Sequence, residues 1–424
     1  MIRTRAYRGR SFTWSLSGNV VYSLCQWSFV VVLAKLGTPE DVGGYALGLA
    51  ITSPLLIFAN FQGRNLVASD IGDEYSFGEY LSFRVTSLAL ALMVLLAVIS
   101  FNHGWGATAT VIFLVGLGQA FDWASETYFG LMQKHNRLDL VAQSLMLKGP
   151  LCLLLLSAFM YFTRNLVLAV GSLALGRAVI LWCFDSKKGN MIAGPVRMTW
   201  NRITQIRLLK LALPLGLISG LVAFNFNIPR YFIQADLTRR DLGIFSAIAS
   251  LVGTGNLIMA ALASCSFVAI AKAHVARDTG QYRSLSLRLF SVGALLGGAG
   301  VLAAMLAGNR ILTMLFRPEY GGSAGVFARI MLAGALGYII SAQGYAMTAA
   351  RKIMPQIPAL LCTVAATTLF SWWLVPARGL EGAAEAWLLG SVVQLAWSSF
   401  IMARIGNGAA APPTKRVTVP ANAS

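Results

Sequence analysis

The chain has 424 residues, of which 57% are hydrophobic and only 12% charged, with 34 Lys and Arg against 16 Asp and Glu. Soluble chains carry about 25% charged residues, so this composition cannot cover a water-facing surface; it argues against a soluble enzyme and excludes a disordered polymer. The net charge of +18 falls between apolar blocks, where it orients a membrane protein; no basic arm is joined to stacking aromatics, so nucleic acid is not an expected partner.

A helix needs roughly 20 apolar residues to cross a bilayer core. Twelve segments qualify: 12–34, 42–63, 81–101, 107–129, 140–160, 166–184, 209–229, 243–270, 286–308, 324–349, 355–375 and 381–403. Asp122 and Glu126 interrupt the fourth, and Arg329 the tenth. Arg3, Arg5, Arg8 and Arg10 precede the first apolar run as in a signal peptide. That run is long, holds Asn19 and Gln26, and closes without a small-residue cleavage site, so it is read as a retained helix. Twelve spans put both termini on one side. That side takes most of the basic residues, including Lys187, Lys188, Arg197, Arg202, Arg207 and Lys210 of the longest loop. The bias places both termini in the cytoplasm. The expected fold is an all-α polytopic membrane protein. Residues 1–185 form one six-helix bundle, 186–208 a basic cytoplasmic linker and 209–405 a second bundle, followed by a flexible tail over 406–424.

Little in the sequence points to catalysis. Cys25, Cys152, Cys183, Cys265 and Cys362 lie in apolar stretches without a close pair and read as small buried hydrophobes. His103, His135 and His274 are far apart, so no metal site is expected. There is no Gly-x-x-x-x-Gly-Lys-Ser/Thr loop and no nucleophile elbow. Neither a catalytic residue nor a cofactor is expected.

The two halves echo each other. Thr38-Pro39-Glu40-Asp41-Val42-Gly43-Gly44-Tyr45 follows the first span, and Thr238-Arg239-Arg240-Asp241-Leu242-Gly243-Ile244-Phe245 follows the seventh, an offset of 200 residues. Gly78-Glu79-Tyr80 is answered by Gly280-Gln281-Tyr282. The first and seventh spans run the same way, which makes the halves parallel repeats about an axis along the membrane normal. Asp41 and Asp241 are expected to cap the helix that follows, and the glycines to permit close packing.

Polar residues in apolar spans face a cavity or another helix. Asn19 and Gln26 lie in the first span, Asn60 and Gln62 close the second, Asn225 and Asn227 end the seventh, and Asn256 sits in the eighth. The first two helices of each half thus hold the polar groups, as a central cavity requires; interhelical hydrogen bonds are the alternative. Pro54 is a kink candidate. Asp122 and Glu126 share a helix face. They could take up a proton or sodium, or pair with Lys148 or Arg177. Arg64, Arg84 and Arg230 are candidates for holding phosphate or pyrophosphate, for which Arg forks are suited.

The stretches Trp14-Ser15-Leu16-Ser17-Gly18-Asn19, Ala34-Lys35-Leu36-Gly37 through Gly43, Tyr45 through Pro54, and Asn60-Phe61-Gln62-Gly63-Arg64 resemble bacterial polysaccharide exporters. The nearest group is the lipid-linked oligosaccharide flippases of the O-antigen and exopolysaccharide type. They belong to the multidrug/oligosaccharidyl-lipid/polysaccharide exporter superfamily. The resemblance is strongest over residues 12–100 and extends as a layout over 10–405. It implies a non-enzymatic inner-membrane protein with two bundles in a V and a cationic cavity lined by helices one, two, seven and eight. It implies movement of an undecaprenyl-pyrophosphate-linked oligosaccharide to the periplasmic leaflet by alternating access, with membrane lipids, a polysaccharide polymerase and export proteins as partners. Proton or sodium coupling occurs among such proteins; Asp122 and Glu126 are the contributors to consider, and no motif fixes the ion. The alternatives are a drug exporter, a flippase for another lipid-linked precursor, or a membrane-embedded polysaccharide polymerase. The first two spans hold no acid in their cores, which argues against cationic drugs. Twelve spans argue against the peptidoglycan-precursor flippases, which often carry extra C-terminal helices.

The topology has a direct test. Alkaline phosphatase fused after Ser424 is expected to be inactive in cells, and the same enzyme fused after Arg317 active; the reverse pattern would invert the orientation.

Overall fold

The computed structural model describes residues 2–70, 72–102, 106–194, 196–350, 352 and 354–408. His103, Arg351 and the tail residues 409–424 lie outside them, as does the side chain of Cys265. The secondary structure of the described residues is helical. Among the described residues eleven helices are long and apolar enough to cross a membrane, and the last of them reverses direction midway.

The first half begins with α1 (Ile2–Leu36) and α2 (Pro39–Asn60). α2 runs through Pro54 without interruption and breaks instead at Phe61 and Gln62, both left-handed at φ 49° and 48°. α3 (Gly63–Ser69) follows the break. Then come α4 (Phe77–Asn102), α5 (Ala107–Lys134) and α6 (Leu138–Thr163). α7 (Leu166–Ile180) passes through a π-helical turn, Leu181–Asp185, into α8 (Ser186–Ala193). The second half holds α9 (Arg202–Asp236), α10 (Arg239–Val275), α11 (Thr279–Leu315), the short α12 (Pro318–Gly321), α13 (Ala324–Ala349) and α14 (Gln356–Gly408). The stretch 186–208 is thus helical at both ends, and the polar residues spanning a membrane interface need little free loop.

Inside α14, Gly379 adopts φ 59° and ψ −133°, a conformation that glycine takes without strain. Beyond it Gly382 lies against the Leu374 carbonyl and Gly390 against Thr367, so the two arms are antiparallel. The chain therefore makes twelve passes between a terminal side, where α1 begins, and a far side. α1, α2 and α4 to α7 pack together, as do α9 to α11, α13 and α14. This is the all-α arrangement of contacting helix bundles expected from the sequence. Large apolar side chains such as Phe101, Leu306, Trp372 and Trp373 stay exposed. In a bilayer they face lipid.

The repeat has a physical reason at the far side. Thr38 and Thr238 are both N-caps, each accepting from the backbone N–H of the Asp three residues on. Asp41 and Asp241 return a bond to the threonine N–H, which completes a capping box at the start of α2 and of α10. These two starts cross. A Cβ on Gly43 would meet the Arg239 carbonyl, and one on Gly243 the Pro39 carbonyl. The contact is reciprocal, because residues 39 and 239 occupy matching positions. It closes the far side, where Arg239 also bonds Thr108 and Arg317 bonds the Lys35 carbonyl.

α2 also lies along α9. Gly216 and Gly220 receive Phe61 and Phe58, Tyr231 donates to the Ala50 carbonyl, and Gln62 donates to Ser219. The close approach of α2 and α10 leaves no room for a branched side chain. Gly243→Val is expected to destabilise the protein by about 1–3 kcal/mol, the usual cost of overpacking; thermal unfolding in detergent reads it, and an unchanged melting temperature would contradict the crossing.

Candidate functional site: a cavity between the halves

Between α1, α2, α9 and α10, a cavity of about 590 Å³ opens between the halves. Val30 of α1, Tyr45 and Ser53 of α2, Asn227 and Arg230 of α9, and Ser246 of α10 line it. These belong to passes one, two, seven and eight, the helices that the sequence marked as polar.

Arg230 was expected to close the seventh span at residue 229. α9 instead runs on to Asp236, which places Arg230 six residues, or roughly 9 Å, inside the helix. Its guanidinium lies 4.7 Å from the centre of the Phe226 ring and is 8% exposed. It donates to Ser246 Oγ at 3.1 Å and to Asn227 Oδ1 at 2.7 Å. Among the described residues it has no carboxylate partner. All its ligands are neutral, so a full positive charge faces the cavity uncompensated.

The other arginines do different work. Arg84, 2% exposed, donates to Thr127 and to the Ala59 carbonyl and crowds Gly63. It supplies a donor to the carbonyl that the break after α2 leaves free. Arg64 bonds Gln133 and pairs with Glu126 at 3.6 Å. Neither lines the cavity.

The asparagines also separate. Asn225 and Asn227 are two residues apart, hence about 200° apart around a helix. Asn227 faces the central cavity, and Asn225 faces a second one of about 830 Å³ within the second half, together with Asn256. Asn60 is buried at the end of α2, Asn19 is exposed on α1, and Gln26 donates to the Tyr22 hydroxyl.

Asp122 is held by both bases that the sequence offered. Arg177 Nε lies 3.0 Å and Lys148 Nζ 3.4 Å from its carboxylate, and the Tyr22 hydroxyl donates at 3.0 Å. Lys148 reaches a second acid, Asp185, at 3.6 Å and donates to Ser125. Asp185 is fully buried at the end of the π-helical turn. Two acids and two bases thus neutralise each other inside the first half. Asp185 escaped the sequence reading because it sits at a predicted span end, where an acid attracts no notice. The cysteines depart in part from the expectation: Cys152 is buried, Cys25 half-buried, and Cys183 and Cys362 exposed, all with free thiols.

No family model matches the chain. It is 27% identical over 394 residues to the capsular polysaccharide biosynthesis protein CapF of Staphylococcus aureus, covering 91% of this chain and 97% of that protein. Among solved structures, the Lipid II flippase MurJ in an inward closed conformation superposes with a TM-score of 0.73 at 11% identity, over 94% of this chain and 90% of that one. An inward-facing multidrug resistance MATE family transporter of the MOP superfamily superposes at 0.72 with 13% identity, over 91% and 96%. The chain is a polytopic membrane protein with the fold of these transporters.

Lys148 is the pivot of the buried charge group. Lys148→Met leaves Asp185 without its cation and is expected to cost about 3–5 kcal/mol. Adding Asp185→Asn is expected to recover part of that loss. Unfolding temperatures of the single and double variants check both statements.

Proposed function

We propose that this protein is an alternating-access flippase. Its substrate in this reading is an oligosaccharide linked through pyrophosphate to a long lipid, undecaprenol being the expected carrier. It moves that substrate from the cytoplasmic to the periplasmic leaflet of the inner membrane, for surface or secreted polysaccharide assembly. Arg230 carries the reading. A buried cation without a counter-charge is costly, and an anion entering the cavity removes that cost. A guanidinium fork matches phosphate oxygens in geometry as well as charge. The resemblance to a protein named for capsular polysaccharide biosynthesis supports the saccharide part, and the fold shared with a lipid II flippase supports the lipid-linked part.

The cycle follows from the contacts. With the far side shut at Gly43 and Gly243, the substrate headgroup enters from the terminal side, which is cytoplasmic in this reading. Arg230 takes the pyrophosphate while the lipid tail stays in the bilayer and avoids a wet channel. The halves then rock about their line of contact, parting the α2–α10 crossing and closing the terminal side. Proton or sodium coupling falls to Asp122 in this scheme, with Glu126 one turn away and tied to Arg64. A flippase for another lipid-linked precursor would use the same cation. A cationic drug would be repelled by Arg230, and no acid lines this cavity among the described residues.

Reconstitution in sealed vesicles tests the proposal. Leaflet exposure of a short-chain fluorescent undecaprenyl-pyrophosphate oligosaccharide is followed under imposed proton and sodium gradients. Movement is expected to depend on the protein, and Arg230→Gln to slow it at least tenfold with the melting temperature preserved. Lipid II and a cationic dye run in parallel identify the other substrate classes. No movement of the oligosaccharide by inserted protein, or an unchanged rate for Arg230→Gln, would overturn the reading.

A further inference from the structure

The cavity inside the second half differs from the central one in a way that its position does not demand. Its roughly 830 Å³ falls within the range of about 300–1,000 Å³ typical of small-ligand sites. Gln62 and Asn65, at the start of α3 in the first half, also line it, and the rest of its wall is built from α9, α10, α13 and both arms of α14. Among the described residues none that lines it bears a charge, although the chain carries 34 basic residues. Its polar groups are carboxamides and hydroxyls, with Tyr345 and Trp387 giving aromatic surface.

Several of these groups lack protein partners. The Asn225 carboxamide oxygen is buried and accepts no hydrogen bond. Among the described residues Asn256 and Gln394 make none either. A polar atom buried without a partner costs about 1–3 kcal/mol, so the Asn225 oxygen favours a ligand or water here, and the half-exposed Asn256 and Gln394 carboxamides stand free to meet one. Carboxamides both donate and accept, as do sugar hydroxyls, which present both roles on one ring. A carboxylate or phosphate would find donors here but no cation among the described residues, and a charge desolvated without a counter-charge is strongly disfavoured. The cavity adjoins the central one across a single helix face. Ile218, Val222 and Phe226 line both, and Phe226 is the ring beneath the Arg230 guanidinium.

We propose that this cavity binds an uncharged saccharide. It receives the neutral sugars of the substrate, while Arg230 on the other side of Phe226 takes the anionic linkage. This rests on the flippase reading above and adds a selectivity: units rich in neutral or N-acetylated sugars fit, and uronic acids are rejected at this cavity.

The experiment uses the full chain in nanodiscs, with intrinsic tryptophan fluorescence titrated by soluble sugars that carry neither lipid nor phosphate. The probes are di-N-acetylchitobiose and a uronate-containing disaccharide of similar size. The neutral sugar is expected to bind at least tenfold tighter than the uronate. Asn256→Leu or Gln394→Leu is expected to weaken it at least fivefold; thermal unfolding confirms that each variant is folded, and having two variants guards against one that is not. Equal affinity for both sugars, no binding of the neutral one, or full binding by both Leu variants would overturn the proposal. Lipid movement without carboxamide-dependent sugar binding would sink this inference alone. Sugar binding without lipid movement would sink the flippase reading and leave the cavity assigned.

Discussion

The crossing of α2 and α10 at their capped first turns is the contact on which the rest of the arrangement depends. Each helix start is fixed by its own threonine and aspartate, so the crossing joins two rigid ends rather than two flexible loops. Glycines at residues 43 and 243 let backbone meet backbone there. Away from that contact, residues of α2 and α10 such as Tyr45, Ser53 and Ser246 line one cavity together with α1 and α9. The central cavity is the space between them. Its floor and lining are thus consequences of a packing decision made near residues 38–43 and 238–243.

Charge is distributed unequally about that cavity. In the first half Asp122, Asp185, Lys148 and Arg177 form a closed group whose charges balance one another. Such a group stabilises a single packing of α5, α6 and α7, since any shift strands a buried charge. In the second half Arg230 has only dipoles and a ring for company. The protein spends its acids where rigidity is needed and leaves its cation bare where a ligand passes. The neighbouring uncharged cavity extends the same division across one helix.

Much of this was legible in the sequence where the signal was local. The Asp of the repeat announced a cap at both helix starts, although the N-cap itself is the Thr three residues earlier and the Asp completes the box. The count of twelve passes followed from apolar length and loop charge. Pairing with Lys148 or Arg177 was one of two readings of Asp122 and Glu126; Asp122 meets both bases, and Glu126 meets Arg64 instead. Residues whose role depends on a distant break were illegible. Arg84 reads as an interfacial cation until the left-handed pair Phe61 and Gln62 exposes a carbonyl for it to meet. Asn225 and Asn227 look like one cluster, although helical geometry alone turns them to opposite faces. Arg230 was recognisable as a cation out of place, but its depth depended on where α9 ends, and the polar residues past 229 concealed that the helix continues.

The tight reversal at Gly379 bears on how the protein is made. With almost no loop between its arms, α14 gives the insertion machinery no resting point between one helix and the next, so both arms must enter the bilayer together as a helical hairpin. The tip of that hairpin carries Arg378, which bonds Glu385, while Arg329 pairs with Glu381 and Glu385 once the fold closes. The cation at the tip therefore travels with its own counter-charge, and Arg329 of α13 meets the hairpin's two acids only after arrival.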